Sequence, residues 1–168
     1  MIVRSREELI SEWQNKMSII IENVAQKLVD ELLKIIEETV YSYEGSFTDN
    51  RTREFKNSWE YSKPIIQGKL VSSEIFQNFL TMTAVPELFI HGSEYNNGEL
   101  VINELNEIIN NGLVGKKTIA NFPQIEARPF WDEFQKYLDK NFEQIFMKEC
   151  MNQGLTITQN NTGYYGFR

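Results

Sequence analysis

The chain has one histidine and one cysteine in 168 residues, and each scarcity closes a class of chemistry. With His91 alone, neither a histidine pair on a metal nor the H-E-x-x-H helix of a metalloprotease can be assembled. With Cys150 alone no internal disulfide forms, which fits a reducing compartment. Cations are also scarce: 17 Lys and Arg stand against 24 Asp and Glu, for a formal charge of -7. Gripping a nucleic-acid backbone needs clustered Lys and Arg, so that role is set aside. No run of about 18 apolar residues can span a bilayer. No basic and then apolar leader opens the sequence, so the N-x-T sequons at Asn50 and Asn160 read as chance matches.

What is present is enough apolar material for a core. Hydrophobic residues make up 41% of the chain and aromatics 12%, which argues against wholesale disorder. The length favours one domain. We place a single α+β domain at 1–158 and a flexible, aromatic C-terminal tail at 159–168.

The organising stretch runs from Glu126 to Gly154. Pro129 suits the first helical position and Gly154 the left-handed residue that follows a helix. Between them Phe130, Phe134, Tyr137, Leu138, Phe142, Ile145, Phe146 and Met147 recur mostly at three- and four-residue spacing, the stripe of an amphipathic helix that builds a core.

At the other end Ser5-Arg-Glu-Glu8 is a capping box, so a helix begins at Arg6. Ile10, Trp13, Met17, Ile20, Ile21, Val24, Leu28, Leu32, Ile35, Ile36 and Val40 carry it toward Gly45. Unbroken, it holds about 38 residues and is longer than a compact domain of this size needs. A bend near Lys16-Met17-Ser18 would make it two helices.

After a polar loop over 45–53, strands are predicted at 58–66 and 69–76 around a Gln67-Gly68-Lys69 turn, with a third near Leu88–His91. A short helix follows over Leu100 to Ile109, ended by Asn110-Asn-Gly112. Leu155–Thr158 reads as a last strand.

A search for chemistry returns little. His91 beside Glu94 reads as an ordinary structural or surface histidine. Gly112-Leu-Val-Gly115-Lys116-Lys117-Thr118 lacks the spacing of a phosphate-binding loop. Cys150 has no neighbour that favours its thiolate, so it reads as an inert, buried or half-buried thiol. The carboxylate pairs Glu7-Glu8, Glu37-Glu38 and Asp132-Glu133 read as solvated helix faces, because adjacent helical residues diverge. No catalytic, cofactor-binding or metal-binding residue is assigned, and the chain is not read as an enzyme.

Three segments, in order, carry a resemblance. Thr52-Arg-Glu-Phe-Lys-Asn-Ser58-Trp59, just after the long helix, resembles the T-G-x-L-x-x-S segment of the tail-completion, or head-to-tail joining, proteins of long-tailed phages. Phe89-Ile-His-Gly-Ser93 is similar to the family's strand end, roughly Y-V-E-F-G-T. Ala127-Arg-Pro-Phe130 is similar to its A-x-P-F signature at the start of the C-terminal helix. Arg53 stands where the family has glycine, the family's proline just before that segment is missing, and His91 replaces a usual acidic residue.

The resemblance implies an α+β fold in which a long N-terminal helix and a C-terminal helix pack on a small antiparallel sheet. It also implies a structural virion protein, assembled with copies of itself as a ring in the neck or at the top of the tail, without catalysis or cofactor. Its neighbours would be the phage connector and tail-tube or terminator proteins, and DNA would pass without specific binding. The protein would lie in the host cytoplasm during assembly and then in the virion, and no membrane is involved. Ring closure needs unlike patches to meet on successive copies. Trp13 on the long helix and Tyr164, Tyr165 and Phe167 in the tail are the residues expected to supply the contact, since aromatics carry much interface energy. The alternative is a cytoplasmic helical interaction module, a regulator or antitoxin-like partner, dimerising through Ile10, Trp13, Met17, Ile20 and Val24.

Overall fold

In a computed structural model of the chain, residues 5–42, 53–81, 106, 109–111, 127–159 and 165–167 are described. The first helix, α1 (Arg6–Ile36), starts as its cap requires. The Ser5 hydroxyl accepts from the Glu8 amide at 3.1 Å, and the Glu8 carboxylate accepts from the Ser5 amide at 3.1 Å. The helix runs through Lys16-Met17-Ser18 without interruption and passes at its end into a π-helical turn, Glu37–Tyr41. There the Thr39 hydroxyl donates to the Ile35 carbonyl at 2.7 Å and the Ser42 hydroxyl to that of Glu38. Side-chain hydroxyls that bond back onto the preceding turn compete with the regular ladder, which fits its widening here.

A short helix, α2 (Glu54–Asn57), is followed by four three-residue strands: β1 (Trp59–Tyr61), β2 (Ile65–Gln67), β3 (Leu70–Ser72) and β4 (Ile75–Gln77). Two longer strands were expected here, and each is cut in half. Pro64 has no N–H to give a ladder. The Ser62 amide still donates to the Glu74 carbonyl at 2.8 Å, but the Ser62 hydroxyl accepts from the Glu74 amide at 3.0 Å and the Ser73 hydroxyl donates to the Ser62 carbonyl at 2.6 Å, so side chains take up the other backbone groups of the gap. β2 and β3 form an antiparallel hairpin with Ile66 opposite Val71, turning at Gly68, whose φ of 61° suits a residue without Cβ. β1 pairs with β4.

The C-terminal helix, α3 (Phe130–Asn152), begins one residue after Pro129. It ends in a Schellman motif. The Leu155 amide reaches the Cys150 carbonyl at 2.9 Å, the Gly154 amide reaches that of Met151 at 2.9 Å, and Gly154 sits at φ 70°. Beyond it β5 (Ile157–Gln159) pairs antiparallel with β6 (Tyr165–Phe167), with Ile157 opposite Phe167. Part of the stretch read as a flexible tail is therefore a strand. The fold is α+β: a long N-terminal helix, a C-terminal helix and small antiparallel sheets, all of them two-stranded among the described residues.

The chain divides into two compact units, Met1–Asp30 with Tyr61–Phe76 and Tyr137–Arg168, and Glu31–Glu60 with Gln77–Lys136. In the first, the buried face is Met17, Ile20, Val24, Ala25, Leu28 and Val29 of α1, with Val71, Glu149 and Cys150. In the second, Leu32, Ile35, Ile36 and Val40 are buried, as are Phe55, Ser58, Trp59, Phe130 and Phe134. The apolar stripe of α3 is thus core only in part. Phe142, in its middle, is 46% exposed and stacks on Phe146 at 6.2 Å. The expected strand near Leu88–His91 lies outside the described residues.

Candidate functional site

The second unit is built on rings. Phe130 meets Phe55 edge-on at 5.4 Å and Trp59 at 6.2 Å, and Phe55 meets Trp59 edge-on at 6.4 Å. Edge-to-face pairs set the positive rim of one ring on the negative face of another, about 0.5–1.5 kcal/mol each beyond area burial. Trp131 extends the cluster outward: it stacks on Trp59 at 5.7 Å with planes 21° apart, touches Phe134 at 5.5 Å and stays 37% exposed. Asn110 holds that end of α3. Its Oδ1 accepts from the Trp131 amide at 3.0 Å, a helix-terminal donor that Pro129, with no side-chain acceptor, leaves open. The Arg128 guanidinium donates to the Val40 carbonyl at 2.9 Å and satisfies the end of the π-helical turn.

Around these rings lies a cavity of about 340 Å³ lined by Trp59, Asn106, Asn110, Asn111, Phe130 and Trp131. Two of its lining residues hold buried polar atoms without a hydrogen-bond partner, the indole N–H of Trp59 and Oδ1 of Asn106. Trp59 is only 8% exposed. The orientation of the Asn106 amide follows from a relay. The buried Ser58 hydroxyl donates to the Phe55 carbonyl at 2.8 Å, so it accepts from Gln77 Nε2 at 3.0 Å. Gln77 then turns its Oε1 to Asn106 Nδ2, which donates at 2.6 Å. The amide nitrogen of Asn106 is spent inside the protein, and the atom left over is an acceptor. A buried donor or acceptor without a partner costs about 1–3 kcal/mol, so these two atoms are a local cost within the cluster.

Charge is handled elsewhere. Glu37 takes Lys56 at 2.8 Å and Arg53 at 3.0 Å while its side chain stays 35% exposed, so on its solvated face it is a paired carboxylate. The hydrogen bond from Lys56 holds its pKa below the ordinary 4.5, against some desolvation, with the charges of Lys56 and Arg53 assisting. Glu149, in the first unit, is buried and accepts from Lys27, from Asn23 at 3.1 Å and from Asn152 at 3.3 Å. Its pKa is lowered, by the Lys27 hydrogen bond first, while burial raises it and the two asparagines lower it further. Cys150 beside it is fully buried, and burial and the Glu149 charge push its thiol up, away from reactivity. Among the described residues no group of three or more His, Cys, Asp or Glu is placed to hold a metal, and no helix is long and apolar enough to cross a membrane.

Of the residues singled out for contact, Trp13 is half-buried on α1 in the first unit, and Tyr165 and Phe167 lie on β6. Tyr164, His91, Glu94 and the Gly112–Thr118 stretch lie outside the described residues. The cavity was missed. Asn110 was read only as part of the Asn110-Asn-Gly112 signal that ends a short helix, and 109–111 are helical. Trp131 fell off the apolar stripe and went unremarked, although a tryptophan beside the buried face of an amphipathic helix was the signal available. No family model, no curated protein and no solved structure matches the chain.

Proposed function

We propose that the chain is a structural virion protein that assembles as a ring at the head–tail junction or the top of the tail of a long-tailed phage, completing the tail and joining it to the head. The observation that carries the reading is the meeting of two of the three resembling segments, some seventy residues apart in sequence. Phe55, Ser58 and Trp59 of the first pack with Phe130 of the second in one buried cluster. Arg53, at the place of the family's glycine, has φ 58°, the left-handed conformation that glycine adopts without strain. The Phe89–Ser93 segment lies outside the described residues.

The net charge of -7 suits a passage that DNA crosses without sticking. The alternative, a dimer through the heptad-like run of α1, has less to stand on, because Met17, Ile20 and Val24 are already buried within the chain. Sequencing the DNA on either side of the coding region tests the reading. Genes for portal, capsid, connector and tail-tube proteins are the expected neighbours; flanks without virion genes overturn it.

A further inference from the structure

The hairpin of β2 and β3 leaves apolar surface open to solvent: Ile65 is 50% exposed and Leu70 60%. Residues paired across a ladder share a face. With Ile65 opposite Ser72 and Leu70 opposite Gln67, Ile65 and Leu70 are diagonal neighbours on one side, while Val71, opposite Ile66, is buried on the other. The tip is fixed in place, because the Gln14 side chain of α1 donates to the Gly68 carbonyl at 2.7 Å. Its charge has one sign. Between Glu60 and Glu74 the sequence carries Lys63 and Lys69, both exposed, and no acidic residue, in a chain whose balance is -7.

The complementary arrangement stands on α3, in the same unit. Asp139, Phe142, Glu143 and Phe146 follow one another at three- and four-residue spacing, so they lie together on one side of the helix. There the exposed Phe142 ring and its stacked neighbour Phe146 are bordered by two carboxylates. Lys140 and Lys148 fall roughly 120° or more round the helix from both rings. Lys136 is bonded to Glu133 at 2.7 Å. The two ring centroids are 6.2 Å apart, close to the roughly 7–8 Å between diagonal neighbours of an antiparallel ladder, so Ile65 and Leu70 can each rest on one ring.

We propose that the β2–β3 tip of one copy docks on the Phe142 and Phe146 stripe of α3 in a second copy, with Ile65 and Leu70 on the rings and Lys69 facing Asp139. Charge selects this pairing over the symmetric one, since two tips brought face to face would set lysines against lysines. The donor and the receiver are unlike patches, so each copy gives a tip and receives one, the geometry by which a ring closes. The inference rests on the ring reading for that closure.

Sedimentation of the full chain over a range of concentrations tests the contact. Reversible association is expected, weakened about ten-fold or more by Leu70→Ser and by Phe142→Ser, and about ten-fold by Lys69→Glu or Asp139→Lys alone. The chain carrying both Lys69→Glu and Asp139→Lys should recover, which loss of structure by either change would not produce. All four residues are exposed, and the unfolding midpoint of each variant shows that it folds. A chain that stays monomeric at high micromolar concentration, folded variants that associate as the parent does, or a double variant without recovery overturns the inference. Variant-sensitive binding of a monomeric chain to anionic phospholipid vesicles also overturns it, and gives the tip to a lipid surface instead.

Electron microscopy of the associated chain separates this failure from that of the ring. Closed rings that persist in Leu70→Ser and Phe142→Ser overturn the contact and leave the ring reading standing. Association that these variants weaken, but that builds only open chains of copies, keeps the contact and overturns the ring.

Discussion

The two ends of α3 are held by different physics. Phe130, 1% exposed, is fixed by the rings of Phe55, Trp59 and Trp131, a contact set with a weaker directional demand than a charged hydrogen bond. Some twenty residues on, Glu149 is buried because one cation and two amides meet its oxygens, a contact set that is all direction. The first end is held by the shape and packing of its rings and has a cavity beside it. The second has no slack, since removing any one donor leaves a buried charge underserved. Sensitivity to core packing is therefore expected at the aromatic end, and sensitivity to pH at the carboxylate end.

The comparison breaks most visibly at Phe130. Phe130→Ala removes the ring that joins three others and is expected to cost about 3–5 kcal/mol, read as a lower denaturant midpoint at unchanged slope. Its acid limb should match that of the parent protein, because no titrating group is touched. At the other end, Glu149→Gln is expected to cost about 1–3 kcal/mol at neutral pH, the loss of charge-assisted hydrogen bonds. The folded pKa of Glu149 lies below the ordinary 4.5, so its contribution is complete above that value and fades as pH falls through the folded one. Glu149→Gln should accordingly flatten stability against pH below 4.5, leaving among the described carboxylates the slope due to Glu37, which shifts in the same direction. An unchanged acid limb in Glu149→Gln would show that the carboxylate is not held as described.

A smaller effect belongs to the residue that stops α3. A Cβ at Gly154 meets nothing within 4 Å, so Gly154→Ala isolates the backbone. With φ at 70° it is expected to cost about 1 kcal/mol, measured by thermal or urea unfolding. A neutral result would mean that the Schellman turn is dispensable.

Much of this architecture was legible because local chemistry dictates it. Ser5 and Glu8 announce the start of α1 through a reciprocal pair of hydrogen bonds, and Gly154 announces the end of α3 through its freedom at positive φ. Both signals act within four or five residues. The strands were overextended because alternation of Trp59 and Tyr61 with polar neighbours says nothing about Ser62 and Ser73, which bond across the gap and end the ladders. Glu149 was invisible for a related reason: its partners Asn23 and Lys27 are more than 120 residues away in sequence, and a lone glutamate on a helix looks solvated until the neighbour arrives. The cavity was hidden twice over. It needs Asn106, Trp59 and Trp131 together, and the polarity of Asn106 is set by Ser58 through Gln77, a chain of choices that no spacing rule contains.

The smallest expected effect is the most informative about the resemblance. Arg53 pays for its φ of 58° with strain of about 1 kcal/mol, and its exposed ion pair with Glu37 is screened by solvent and offsets only part of it. Arg53→Gly relieves the strain, gives up the ion pair and adds freedom to the unfolded chain, so the terms nearly cancel and the variant should lie within about 0.5 kcal/mol of the parent. Arg53→Val keeps the strain, worsens it by branching at Cβ and also loses the pair, so it should fall about 1–2 kcal/mol lower. Denaturant midpoints for the two variants order the causes. Glycine well above valine shows that the position is defined by its left-handed backbone, the property expected where tail-completion proteins carry glycine. Glycine and valine equally destabilised would show that Arg53 is kept for its charge on Glu37 and that the likeness to T-G-x-L-x-x-S at this place has no structural cause.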